Sequence, residues 1–131
     1  ELKKHLVHLR AIGPRVEGPH SLAGDLSLHN DVLFSLLTIA QLVIDISGEI
    51  GARRGMRFED YTQAIRNLAS VEGFPPDLVE RLARLPGFRN VLLHDYVELD
   101  YSVAVAALKD LEPVERFLRI VASMEAKSGE A

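Results

Sequence analysis

"SLHNDVLFSLLTIAQLVIDISGEI", residues 27–50, is the stretch that decides the fold. Its apolar side chains recur at spacings of three and four residues, which is the period of an α-helix. The first apolar stripe contains Leu28, Val32, Leu36, Ile39, Val43, Ile46 and Ile50. A second stripe beside it contains Leu33, Leu37, Ala40 and Ile44. A helix with one such stripe faces one core, whereas this helix must bury most of its circumference.

Two arrangements would bury both stripes of this helix. In the first, a helical bundle covers one stripe and a second copy of the chain covers the other, as a dimer seam. In the second, a monomeric bundle of five helices encloses the helix at its centre. The pattern favours the homodimer and leaves both arrangements open.

The rest of the chain predicts further helices joined by short connections. Glycine and proline predict a loop at 13–25, with Asp25 or Ser27 as the next helix cap, and a helix start at Pro76. The predicted helices cover residues 1–12, 27–50, 57–71, 77–85, 88–97 after an interruption at Pro86-Gly87, and 100–126 with a possible restart at Pro113. The sequence therefore predicts one all-α domain over 1–131, an antiparallel bundle of about five helices.

The composition narrows the possible functions. The 131 residues include no cysteine, which excludes thiolate nucleophiles, disulfide bonds and cysteine zinc sites. The net charge is −4, whereas proteins that bind nucleic acid indiscriminately are usually basic, so any activity on RNA must rest on a local site. No run of about 18 apolar residues is free of charge, so we expect no membrane span. The absence of cysteine suits a reducing cytosol, so we expect a cytoplasmic protein.

"RNVLLHDY", residues 89–96, is the stretch that carries candidate chemistry. If it is helical, Asn90 and His94 lie one turn apart on one stripe, and Arg89 and Tyr96 lie two turns apart. Arg89 and His94 are about 140° apart around the axis, so they share a pocket only through their side-chain length or a loosened helix end. The ordinary interpretation is a surface arginine with a histidine and a tyrosine that pack.

The longer block "GFRNVLLHDYVELD", residues 87–100, resembles the HEPN superfamily motif, in which a polar residue follows an arginine and a histidine comes after it. More narrowly, the spacing of Arg89, His94 and Tyr96 resembles the HepT-like toxins, the partners of minimal nucleotidyltransferase antitoxins of the MntA type. The resemblance implies an all-α HEPN bundle, a homodimer, and an endoribonuclease toxin that needs neither metal nor other cofactor.

The resemblance also implies roles for individual residues. His94 is expected to act as general base or acid on RNA, because an imidazole titrates near neutral pH. Arg89 is expected to clamp the phosphate, and Asn90 to orient the imidazole or the phosphate. In a dimer, the segments of two protomers would line one cleft and double these groups. Tyr96 is expected to receive AMP, which the antitoxin transfers from ATP.

Asp45 is a further candidate, because an acid among Val43, Ile44 and Ile46 needs a partner. We expect it to hold the guanidinium of Arg89; a plain structural ion pair or an exposed helix edge is the alternative. The alternative function for the whole chain is a HEPN module without catalysis, which would serve as a scaffold or nucleotide-binding partner of a nucleotidyltransferase.

Overall fold

The computed structural model describes the backbone of residues 1–94 and 100–130, and the side chains of residues 1–93 and 100–127. Within these ranges the chain forms α-helices and no strand. The eight α-helices described there are α1 Leu2–Ile12, α2 Pro19–Ala23, α3 Leu26–Ala52, α4 Tyr61–Arg66, α5 Pro76–Leu82, α6 Leu85–His94, α7 Tyr101–Lys109 and α8 Glu112–Glu130. Short 3-10 helices follow α1 at Gly13–Arg15 and α4 at Asn67–Ser70. The all-α prediction is confirmed, and turns divide the predicted helices into shorter ones.

Aspartate side chains begin three of the helices. Asp25 accepts a hydrogen bond from the Leu28 backbone N–H at 3.1 Å, so Asp25 rather than Ser27 caps α3. Asp60 accepts from the Gln63 N–H at 2.8 Å and caps α4. Asp100 accepts from both the hydroxyl and the N–H of Ser102, and these bonds lower the pKa of the Asp100 carboxyl. Each cap satisfies a backbone donor that the first helical turn leaves unpaired.

The segment that carries the candidate chemistry begins earlier than predicted. The predicted interruption at Pro86-Gly87 is wrong, because α6 starts at Leu85 and includes both residues in its first turn. Proline is tolerated there, since the first-turn N–H groups have no partner within the helix. The chain turns instead at Ala83 and Arg84, after α5. Arg89 therefore lies in the second turn of a regular helix, which fixes the direction of its side chain.

Three other predicted boundaries also moved. The region 13–25, predicted as a loop, contains the short helix α2, which begins at Pro19. The last predicted helix is divided at Asp110 and Leu111, and Pro113 lies in the first turn of α8. The predicted helix over 57–71 starts only at Tyr61, so residues 53–60 connect α3 to α4 without regular helix.

The long helix α3 forms the centre of the bundle, and it packs against α1, α2, α4, α6, α7 and α8. Its first apolar stripe is buried except for Ile46, which is half-buried. In the second stripe Ala40 and Ile44 are buried, whereas Leu33 and Leu37 stay half-buried. The fold of one chain therefore buries most of the helix, and the N-terminal part of the second stripe remains partly open.

Central burial also explains the composition of α3. By length and composition alone this helix could cross a membrane, with a mean hydropathy of 1.6 over 18 residues. Most of its apolar side chains face the other helices of the bundle, which is the usual position of a helix that is hydrophobic on most sides, whereas Leu26 and Phe34 are exposed.

Candidate active site

Arg89 lies where α6 packs against α3, and two side chains hold its guanidinium group. Its Nε donates a hydrogen bond of 2.5 Å to Oε1 of Gln41 on α3. Its central carbon lies 5.4 Å from the ring centroid of Tyr61, the first residue of α4, which is the distance of a cation–π contact. Three helices thus fix one arginine. A guanidinium held in this way keeps its remaining N–H groups in a planar fork suited to a phosphate.

Asp45 acts on Arg89 through an intermediary. Its Oδ1 accepts a hydrogen bond of 2.8 Å from Nε2 of Gln41, one turn earlier on α3. That bond turns the amide oxygen of Gln41 toward Arg89. The expected direct contact is therefore wrong among the described side chains: Asp45 is exposed and orients Gln41, which in turn holds the guanidinium.

Asn90 also contacts Arg89, because its Oδ1 accepts a hydrogen bond of 3.1 Å from Nη1 of the arginine. The backbone of α6, which is described up to position 94, places that position one turn after Asn90. The side chain of His94 and the whole of residues 95–99, including Tyr96, lie outside the described part of the chain. The predicted roles of His94 and Tyr96 therefore stay predictions.

Gln41 and Tyr61 are the two site residues that the sequence did not reveal. Gln41 offered a weak signal, since it is an uncharged polar residue between Ala40 and Leu42, four positions before Asp45. Tyr61 offered none, because its contact with Arg89 depends on how the connection after α3 returns to the bundle. Both contacts with Arg89 join residues far apart in sequence, so a local sequence motif cannot reveal them.

The basic residues after α3 lie in the connection that leads from α3 to Tyr61. Arg53 pairs with Glu49 at 2.7 Å, and Arg54 donates to the carbonyl oxygen of Ile50 at 3.0 Å. Arg57 is exposed, and its carbonyl oxygen accepts a 3.1 Å hydrogen bond from the side chain of Asn67. Two of the three arginines are thus engaged with α3, and the third faces solvent from an anchored backbone.

The candidate site is an open surface. A groove of about 920 Å³ lies between the C-terminal half of α3 and α8, and its lining includes none of Arg89, Gln41 and Tyr61. A smaller cavity at α1 and α7 also excludes them. Among the described residues, the guanidinium of Arg89 therefore lies outside these two cavities. A closed pocket around it would need groups other than the described residues.

Comparison with known families shows which family the chain belongs to. Residues 5–121 match the family described as "Ribonuclease HepT-like". The chain belongs to this family. The match includes Arg89, Asn90, His94 and Tyr96, so the predicted HepT-like resemblance is confirmed.

Two relatives of known name agree with the HepT-like assignment. The mRNA nuclease HepT of Shewanella oneidensis is 25% identical over 99 residues, which is 74% of each chain. A putative RNase of Archaeoglobus fulgidus is 27% identical over 104 residues, 79% of this chain and 74% of that protein.

Two solved structures share the HepT-like fold. One is the tri-AMPylated Shewanella oneidensis HEPN toxin in complex with its MNT antitoxin. It has a TM-score of 0.69 and 21% identity and covers 93% of this chain and 96% of that one. The other is a toxin–antitoxin complex with AMP-PNP, with a TM-score of 0.70 and 20% identity over 92% and 96% of the two chains. The predicted HEPN bundle is therefore confirmed.

Proposed function

We propose that this chain is the ribonuclease toxin of a cytoplasmic toxin–antitoxin pair, and that it cleaves RNA without a metal ion. The observation that carries the proposal is the guanidinium of Arg89, which Gln41 on α3 and Tyr61 on α4 hold in place. Arg89 lies five residues before His94 in α6. The names of the two relatives, a nuclease and a putative RNase, support the same reaction class.

The chemistry needs one proton removed and one proton supplied. The 2′-hydroxyl of a ribose loses its proton and attacks the adjacent phosphorus, and the bond to the 5′-oxygen of the next nucleotide breaks. His94 takes the first proton or gives the second to the departing oxygen, since its imidazole can do either at neutral pH. Arg89 stabilises the extra negative charge of the pentavalent phosphorus, and Asn90 orients the arginine or the phosphate.

We further propose that two protomers build the cleft. One histidine and one arginine make an incomplete acid–base site, whereas a two-fold dimer supplies two of each. Partly open apolar side chains beside the site support this arrangement. Leu33 and Leu37 on α3 are half-buried, and Phe34 on α3 and Val91 on α6 are exposed at 65% and 39%. We call these four residues the apolar seam.

The proposal of regulation through Tyr96 rests on the sequence motif, and the description of one solved structure supports AMPylation as the modification. The Shewanella toxin is described as tri-AMPylated and in complex with an MNT antitoxin. We propose that a nucleotidyltransferase antitoxin acts here in the same way: the Tyr96 oxygen attacks the α-phosphate of ATP, and pyrophosphate leaves. The added adenylate would carry negative charge and bulk two residues after His94, and it would repel and obstruct RNA.

Cleavage of a labelled RNA by the purified chain tests the proposal. We expect cleavage with equal rates in the presence and absence of EDTA, products that end in a 2′,3′-cyclic phosphate and a 5′-hydroxyl, and no cleavage where the scissile ribose is 2′-deoxy. The alternative is a HEPN scaffold or nucleotide-binding partner of a nucleotidyltransferase. It predicts no cleavage by the wild-type protein under any of these conditions, and that result would replace our proposal.

A further inference from the structure

Two aromatic residues, at the end of the connection between α3 and α4 and at the start of α4, are exposed to solvent, and one of them also contacts the guanidinium of Arg89. Phe58 is 41% exposed and Tyr61 is 44% exposed. Phenylalanine and tyrosine normally bury their rings, because burial of that area stabilises the fold. Exposed rings grouped beside a site for a charged ligand are typical of a binding surface.

Both rings are fixed to the elements that hold Arg89. Tyr61 contacts the guanidinium of Arg89 at 5.4 Å. Phe58 lies against Gly48 of α3, where a Cβ atom would come within 3.3 Å of the ring carbons Cε1 and Cζ. The absence of a side chain at Gly48 therefore provides the space that the ring of Phe58 occupies beside the helix.

Gly48 stands on the same face of α3 as the residues that orient Arg89. It follows Asp45 by three positions and Gln41 by seven, so all three lie near one stripe of the helix. The distance from Gln41 to Gly48 along the axis is about 10 Å. That distance is comparable to the reach of a nucleotide from its phosphate to its base.

The connection that carries the rings is held in place. The side chain of Asn67 donates to the carbonyl oxygen of Arg57 at 3.1 Å, and Asp60 caps α4. The rings are thus displayed from an anchored backbone. The exposed arginine Arg57 precedes Phe58 directly, and the acidic Asp60 is occupied by the helix cap.

We propose that Phe58 and Tyr61 form a nucleobase subsite next to the scissile phosphate, with Arg57 directed at the RNA backbone. This inference rests on the proposed function, since it requires the phosphodiester at Arg89. Single-stranded RNA is recognised by stacking its unpaired bases on aromatic rings and arginine planes, with basic side chains along the phosphates. Such a subsite lets a chain with a net charge of −4 hold RNA through local contacts.

A combined substitution in protein and RNA tests the subsite. The ligand is a short single-stranded RNA with a 2′-deoxy residue at the cleavage site, and binding is measured by fluorescence anisotropy. A parallel series lacks one base at a time on either side of that site. The protein variants are Phe58→Leu, which removes the ring, and Phe58→Tyr, which keeps it as the matched control.

We expect Phe58→Leu to weaken binding about tenfold, and one abasic position to weaken wild-type binding by a similar factor, which is the usual scale of base stacking. Together the two changes should weaken binding no further than either alone, while Phe58→Tyr binds like the wild type. Additive losses at every position would overturn the inference. So would a Phe58→Leu protein whose molar mass differs from that of the wild type, because the ring would then belong to an interface between copies.

The outcome separates this inference from the proposed function. Coupling between Phe58 and one base in a protein that cleaves no RNA would support the subsite and refute the nuclease. Cleavage by the wild type without any such coupling would refute the subsite and leave the nuclease in place. A wild-type protein that binds no RNA would refute both.

Discussion

Arg89 on α6 and Gln41 on α3 are joined by a 2.5 Å hydrogen bond across 48 residues of chain. The bond connects the arginine of the motif to the central helix of the bundle. The exposed Asp45 fixes the other end of the Gln41 amide at 2.8 Å, so the orientation of the guanidinium depends on a pair of side chains on α3. An arginine on an exposed helix face would otherwise sample many rotamers, and ordering it for a phosphate would cost conformational entropy.

Gln41→Leu removes the acceptor while roughly keeping the volume of the side chain. A hydrogen bond to a charged group contributes about 1.5–3 kcal/mol, so we expect the rate of RNA cleavage to fall about tenfold or more. The matched control is Gln63→Leu on α4, which breaks a similar 2.8 Å bond to Asn67 in the 3-10 helix after α4. Equal activity of the two variants in a single-turnover cleavage assay would show that Gln41 has no part in positioning Arg89.

Arg89→Lys keeps the positive charge and removes the planar fork. Because a lysine cannot bind Gln41 and a phosphate in the same bidentate geometry, we expect cleavage to fall about 100-fold with the fold unchanged. Arg84→Lys, at an exposed arginine just before α6, is the control and should cleave like the wild type. Cleavage by Arg89→Lys at the wild-type rate would mean that charge alone suffices.

Val91→Glu tests the apolar seam. A carboxylate on each of two facing helices would leave buried charge unpaired, so we expect a monomer by light scattering and the loss of cleavage in the same variant. Val7→Glu makes the same change at a valine of α1 that is 59% exposed, and it should leave both properties unchanged. If the Val91→Glu protein is still a dimer, the dimer interface does not include Val91.

Tyr96→Phe tests the proposed regulation. Co-expression with a nucleotidyltransferase antitoxin should raise the intact mass of the wild-type chain by about 329 Da for each AMP, as a covalent charge-adding modification requires. The phenylalanine variant should gain no mass and should keep cleaving RNA. Tyr101→Phe is the control, because this tyrosine lies at the start of α7, and its modification in place of Tyr96 would contradict the assignment.

The sequence predicted those parts of the molecule that depend on local periodicity. The pattern of α3 was sufficient because its spacing of three and four persists over 27 residues, so its bounds shifted only slightly. The start of α6 was misjudged because Pro86 reads as a break, whereas a proline in a first turn costs no hydrogen bond. Arg89 was identified from its motif, but Gln41 and Tyr61 reach it only through tertiary packing.

The contact made by Asp45 was also not predictable from the local sequence alone. Its apolar surroundings in the sequence suggested a carboxylate that needs a partner, but Asp45 lies at an exposed edge of α3, which was the alternative prediction, and accepts a hydrogen bond from Gln41. A helix places residues 41 and 45 on one stripe, so Gln41 was the partner nearest in structure. The predicted direct contact between Asp45 and Arg89 was wrong, because the carboxylate of Asp45 instead binds Gln41, its neighbour one turn away on α3.

The most direct test of the central claim is the single-turnover rate of RNA cleavage by His94→Ala, measured beside the molar mass of the same protein. Removing a general acid or base typically costs about 100- to 10,000-fold, so we expect near-complete loss of cleavage by a dimer of unchanged mass. His20→Ala, at an exposed histidine of α2, should cleave like the wild type. Cleavage by His94→Ala at the wild-type rate would contradict the account.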